Sequence, residues 1–161
     1  MKEILARPVV SVIAINENNN YASILMQRRT KSKNMDKYQG FWELPQGKIR
    51  TGESIFSVAR RELHEETGLD AVSLDKFHDA EEKTSGTGIE AFRPLICVFD
   101  LVSNYIGLAV VIRTRGNPIK TKEASEHKWM SENEITDLIE DNNVFPLNIP
   151  MIKKFFELDW K

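Results

Sequence analysis

A single cysteine, Cys97, leaves no partner for an internal disulfide and points to a reducing, cytoplasmic setting rather than a disulfide-stapled secreted domain. Cys97 lies in the apolar run Pro94 to Phe99, where it reads as a small buried hydrophobe. An excess of one charge is also missing. The 22 basic and 24 acidic residues give a formal charge of −2, which argues against a polynucleotide-coating or anionic-membrane surface and confines phosphate recognition to a local site. No stretch approaches the roughly 18 uninterrupted apolar residues of a membrane helix, and Met1 to Arg7 lacks a leader-like apolar core. No internal repeat is present, and the only biased segment is the Asn-rich run Asn16 to Asn20. The expectation is one soluble domain over residues 1–161, long enough to bury a core.

What the chain does have is an unusual helix. Ser54 is a good N-cap, no Gly or Pro follows until Thr67-Gly68, and Gly68 can take the left-handed conformation that stops helices. Ile55, Val58 and Ala59 share one face at about 100° per residue. An ordinary amphipathic helix would continue that stripe with apolar side chains, yet the next two positions are Glu62 and Glu66, with Glu65 beside them. Like charges at these spacings repel by roughly 0.2–0.5 kcal/mol per pair, so a compensating cation is expected. Oxygen-only ligands suit hard divalent cations, and Mg²⁺ in particular combines a few carboxylates with substrate phosphates. The competing reading is a solvated helix laced with Arg–Glu pairs through Arg60 and Arg61.

Gly47, Glu53, Arg61-Glu62-Leu63, Glu65-Glu66 and Gly68-Leu69 together reproduce, at every spacing, the 23-residue signature of the Nudix hydrolases. The chain resembles that family. The resemblance implies an α/β (α+β) fold, a mixed β-sheet sandwiched between helices, and Mg²⁺-dependent hydrolysis of a nucleoside diphosphate linked to another group, with Mn²⁺ as an alternative metal. It implies Glu65 and Glu66 as metal ligands, Glu62 as a third ligand or as the general base, the Gly47 carbonyl in the metal shell, and Glu53 in support of the site. The family commonly has two glycines where this chain has Gln46-Gly47, a departure just before the signature.

Around this unit the pattern predicts further elements. Pro8 to Ile15 reads as a strand buried on both faces, and Tyr21 to Gln27 as its hairpin partner across the Asn-rich turn. Thr30 to Gln39 is a polar loop that could solvate or cover a nucleotide. Phe41 to Pro45 is a short strand leading into Gly47. Val72 to Lys83 alternates as a half-exposed strand, Ser85 to Gly88 turns, and Ile89 to Val102 reads as a long strand with Pro94 marking an edge or kink. Tyr105 to Arg115 is another strand, completing a meander across the first hairpin. A short strand Lys128 to Ser131 enters a helix from Glu132 to about Asp141. A last helix runs from Asn148–Pro150 to Trp160, with Ile152, Phe155, Phe156 and Leu158 on its core face.

Four residues besides the fixed signature positions join the candidate site. Arg29 matches an arginine of MutT-type relatives, Lys48 is a phosphate contact or an exposed loop lysine, and Glu123, six residues before Trp129, matches a late-loop carboxylate, with Glu126 as the alternative. Asn148 in Phe145–Pro150 resembles an asparagine that reads a purine edge, its competing role being a helix N-cap. His64, His78 and His127 receive no chemical role. The substrate implied is a small-molecule nucleotide, most simply a nucleoside triphosphate with a normal or oxidised purine, cleaved to the monophosphate and pyrophosphate. ADP-ribose, a dinucleoside polyphosphate, or binding without turnover are the alternatives. Neither a nucleic-acid polymer nor a membrane is expected as a partner, and a homodimer is a common family assembly.

Overall fold

From Val9 to Ile15 every residue of the first strand is buried, as its nearly continuous apolar, β-branched-rich run suggests. This strand, β1 (Arg7–Asn16), lies inside a mixed sheet of a computed structural model that describes residues 3, 5–18, 20–30, 37–79 and 88–160. The other strands are β2 (Ser23–Arg29), β3 (Trp42–Glu43), β4 (Gln46–Lys48), β5 (Asp70–Leu74), β6 (Cys97–Asp100), β7 (Tyr105–Arg115) and β8 (Ala124–Ser131). Helices α1 (Ile55–Thr67), α2 (Glu132–Glu140) and α3 (Ile149–Glu157) complete the fold.

One edge of β1 pairs antiparallel with β4 and the other pairs parallel with β7, from Arg7↔Tyr105 to Asn16↔Thr114. The far edge of β7 is shared by β6 and β5. A second sheet has the order β3-β2-β8. Successive residues of β1 serve opposite layers. Val10, Val12 and Ala14 pack with Val58, Ala59 and Leu63 of α1, while Val9, Ile13 and Ile15 join Met151, Ile152 and Phe155 of α3. The sheets are thereby sandwiched between helices.

Helix α1 is capped as expected. The Ser54 hydroxyl accepts the Ser57 N–H at 3.1 Å, and Gly68 has φ 76°. Ser131 and Glu134 form a reciprocal capping box on α2.

Several expected elements are corrected. The chain turns at Asn16–Asn20 but β1 and β2 do not form a hairpin, because both edges of β1 are already taken and β2 lies in the other sheet. Beyond β5 the backbone makes a 3₁₀ turn at Lys76–His78 instead of continuing as a strand. Only Cys97–Asp100 of the long Ile89–Val102 segment is strand, and Cys97 is exposed on this edge rather than buried. The meander is replaced by the parallel β1–β7 pairing. Helix α3 ends at Glu157, and Trp160 folds back with its indole N–H on the Phe155 carbonyl and its ring stacked on Tyr21. Residues 31–36 of the polar loop, 80–83 of the expected Val72–Lys83 strand and 85–87 of the expected turn lie outside the described residues.

The 3₁₀ turn is fastened by His78. Its Nδ1–H donates to the Arg93 carbonyl at 2.7 Å, which leaves Nε2 to accept the Val111 N–H at 2.8 Å. Burial lowers the His78 pKa and keeps the ring neutral, as this pair of bonds demands.

Candidate active site

The loop between β3 and α1 and the C-terminal half of α1 meet at one end of the sandwich. The Gln46 N–H donates to Glu66 Oε2 at 2.7 Å, fixing the helix carboxylate against β4. The main chain of Glu66 is held too, its carbonyl accepting from Thr121 Oγ1 and from His127 Nε2, each at 2.9 Å. His127 is itself kept neutral by burial.

Glu66 is only 8 % exposed, and its carboxyl pKa is pushed well above the ordinary range by burial first and by the charge of Glu43 second. Glu43 is 5 % exposed. It pairs with Arg29 at 2.6 Å and accepts from Gln27 Nε2 at 3.3 Å. Arg29 in turn lies over the Phe145 ring at 4.6 Å. Gln27 is fully buried, and its Oε1 has no hydrogen-bond partner among the described residues, a state that costs about 1–3 kcal/mol.

Arg61 organises the other glutamates. Its guanidinium makes a two-bond fork to Glu53 at 2.6 and 2.9 Å, reaches the Lys48 carbonyl at 3.0 Å and pairs with Glu62. The Arg61 hydrogen bond holds the Glu53 carboxyl down at about 2, as suits a side chain that braces the loop. Glu62 sits against Gly47 so closely that a Cβ at residue 47 would overlap its carboxylate. Burial raises the Glu62 pKa, with Arg61 opposing the shift. Glu65 is half-exposed, 3.7 Å from Arg61.

A cavity of about 690 Å³ opens here, lined by Arg29, Glu43, Gln46, Gly47, Lys48, Glu66, Lys122 and Glu123, with Tyr105, Phe145 and Leu147 as its apolar wall. Of the expected residues, Arg29, Gly47, Lys48, Glu66 and Glu123 thus share one cavity, while Glu62 borders it through Gly47. Glu126 points elsewhere, to Arg28 at 3.4 Å. Asn148 is a correction. It is fully buried, with Oδ1 accepting the Leu44 N–H at 3.0 Å and Nδ2 donating to Gln46 Oε1 at 2.8 Å. It therefore clamps the β3–β4 corner, and its side chain neither caps α3 nor faces the cavity.

Among the described residues, no three His, Cys, Asp or Glu side chains converge as a finished metal cluster. The donor set nevertheless fits a hard divalent cation. It consists of carboxylate and backbone oxygens, Gly47 leaves room for a carboxylate against the loop, and Glu66 is buried beside a second buried carboxylate, Glu43.

Sequence reasoning missed Glu43 and Gln27. The available signal was a polar residue inside an otherwise apolar strand: Glu43 lies between Trp42 and Leu44, and Gln27 follows Ile24-Leu25-Met26.

Residues 5–154 match the NUDIX domain. An RNA pyrophosphohydrolase of Pelagibacter ubique is 28% identical over 150 residues, covering 82% of this chain and 80% of that protein. One from Brucella ovis is 31% identical over 117 residues, 71% of this chain but only 55% of the relative. Among solved structures, the MutT protein of Methanosarcina mazei superposes with a TM-score of 0.66 at 20% identity, over 100% of both chains. A NUDIX hydrolase of Nitrosomonas europaea gives 0.66 at 18%, covering 97% of this chain and 73% of that one. With its signature glutamates intact and its fold shared with these proteins, the chain belongs to the Nudix family and is a hydrolase of phosphoric anhydride bonds.

Proposed function

We propose that this protein is a divalent-cation-dependent pyrophosphohydrolase acting on a 5′-triphosphate, with the 5′ end of an RNA chain as the leading substrate class. The observation that carries this reading is the division of charge in the cavity. Carboxylates Glu43, Glu66 and Glu123 supply oxygen donors, Arg29, Lys48 and Lys122 supply cations for phosphate, and Phe145 and Tyr105 offer faces on which a base can stack. Two further points favour an RNA end. Lys48 also lines an adjoining cavity of about 780 Å³, so the groove continues past the phosphate-binding residues. The two sequence relatives named above, from Pelagibacter ubique and Brucella ovis, are RNA pyrophosphohydrolases.

In this reading Glu65, Glu66, Glu123 and the Gly47 carbonyl hold the cation, and Glu62 acts as a further ligand or takes the proton from the attacking water. A bound divalent cation would neutralise phosphate oxygens and lower the pKa of a water. Arg61 aims Glu62 and locks Glu53, while Arg29, braced by Glu43 and Phe145, faces a phosphate. Residues 1–161 are read as one domain.

A mononucleoside triphosphate is the second reading, favoured by the net charge of −2, which gives little general attraction for a polymer. Its oxidised-purine version lacks a base-reading residue now that Asn148 is committed internally. The deciding experiment compares 5′-triphosphorylated RNA, canonical and 8-oxo nucleoside triphosphates, ADP-ribose and diadenosine polyphosphates, with Mg²⁺ or with EDTA. Mg²⁺-dependent formation of 5′-monophosphorylated RNA at the highest kcat/KM is expected. Preference for a mononucleotide would move the assignment to the second reading, and binding without turnover of any substrate would make the protein a sensor.

A further inference from the structure

We propose that Gln27 is a positioning residue for the cation site: its amide donors hold the Glu43 and Glu66 carboxylates side by side, and this contact sets the affinity for the metal. The inference rests on the reading of the cavity as a divalent-cation site.

The placement follows from the sheet. On β2, Ile24 and Met26 face the α3 layer and Leu25 faces α1. Gln27 continues the face of Leu25, where an apolar side chain would be buried without a polar cost. Its register partners are Glu43 on β3 and His127 on β8. One row across the second sheet is therefore Glu43, Gln27, His127, and Glu66 descends on it from α1. His127 takes the Glu66 carbonyl at 2.9 Å. Gln27 donates to Glu43 Oε1 at 3.3 Å, and its amide lies close enough to Glu66 to favour the charged form of that carboxyl.

The partnerless Gln27 Oε1 supports this role. An amide has two donors on nitrogen and only acceptor capacity on oxygen. Turning the oxygen toward Glu43 and Glu66 would set lone pairs against carboxylates, so the donors face them and the oxygen is left without a partner among the described residues. A polar side chain kept only for packing or strand register would have no reason to tolerate that arrangement. Gln27 stays out of the cavity lining; it works from behind the carboxylates, as the outer partners that orient metal ligands do.

The test is Mn²⁺ binding to the substrate-free protein, followed by the electron paramagnetic resonance signal of free Mn²⁺. Gln27→Met keeps the approximate volume and removes both donors. It is expected to bind Mn²⁺ about 10- to 100-fold more weakly than wild type, with an unchanged far-ultraviolet circular dichroism spectrum. Its rate deficit should shrink as Mg²⁺ is raised, while the substrate KM stays fixed. Mn²⁺ affinity within twofold of wild type overturns the proposal. If Gln27→Met does not fold, Gln27→Asn decides, since it retracts the same donors by one methylene: wild-type affinity there also overturns the proposal, and a clear loss supports it. Absence of Mn²⁺ binding by the wild type would instead overturn the reading of the cavity itself, and the proposal with it.

Discussion

At His78 and at Glu66 the fold buries a titratable side chain, and it treats the two in opposite ways. The His78 ring is neutral, and both nitrogens are satisfied by main-chain groups at 2.7 and 2.8 Å. Its polarity is consumed in pinning the 3₁₀ turn and the Arg93 segment onto β7. Glu66 is buried next to a second carboxylate, Glu43, beside an amide whose oxygen has no partner among the described residues. One region is complete in itself and serves stability. The other crowds two buried carboxylates together, and such local conflict is expected where a site takes a ligand.

The sharpest way to break this comparison is Glu66→Gln. Turnover should fall on the order of 10³-fold, since a ligand carboxylate is lost. Metal-free thermal stability should rise at pH 8, because the raised folded-state pKa means that ionising Glu66 costs stability. That cost is absent below the ordinary carboxylate value of 4.5, so the stability gain of the variant should vanish there. Equal melting temperatures at pH 8 would show that the buried charge is balanced after all. Glu65→Gln should also lose turnover, but with no change in stability, because Glu65 is half-exposed.

Gly47→Ala comes next. The added methyl meets the Glu62 carboxylate, and displacing a reacting group by about 1 Å costs on the order of 10²-fold in kcat. Steady-state kinetics with circular dichroism as a folding control measures this. His78→Leu tests the other region. Denaturant unfolding should show a loss of about 1–3 kcal/mol from the stranded Val111 N–H, with hydrolysis retained. The pH dependence has a definite sign. The His78 pKa is depressed, so its contribution is present above 6.5 and is lost as pH falls through the folded value. Wild type should weaken on acidification below that point, and His78→Leu should lack this component. Asn148→Ala should cost a comparable loss of about 1–3 kcal/mol, because it strands the buried Leu44 N–H as His78→Leu strands that of Val111. A selective change in base preference without loss of stability would restore Asn148 as a substrate contact.

Local patterns carried much of this architecture. Helix α1, with its Ser54 cap and Gly68 stop, and strand β7 coincide with the expected bounds, because caps and β-branched runs are properties of neighbouring residues. Pairing is not such a property. The apolar run Ile24 to Met26 says that a strand is present and nothing about its partner, so the hairpin with β1 was a reasonable default that the β1–β7 pairing displaced. Cys97 sits in an apolar run, but its face of the edge strand β6 is uncovered, which composition cannot reveal. At the site, the glutamates of the signature were legible because their spacing is fixed on one helix. Glu43 and Gln27 were not, because each is a lone polar residue in an apolar strand, and only the β2–β3 register brings them together.

The long-range contacts of the fold govern its order of assembly. The clamp on Leu44 comes from a side chain 104 residues later in the chain, Ser11 meets the same Asn148 across 137 residues, and β1 must wait for β7. Contacts this distant form slowly, because the loop entropy is lost before the contact repays it. As the protein is synthesised, α1 can coil soon after it emerges, yet the sheet that covers it and the corner that aims Gln46 at Glu66 need the last third of the chain. The carboxylates therefore gather at the end of folding, and a chain cut short before Asn148 would carry the full signature without a working site.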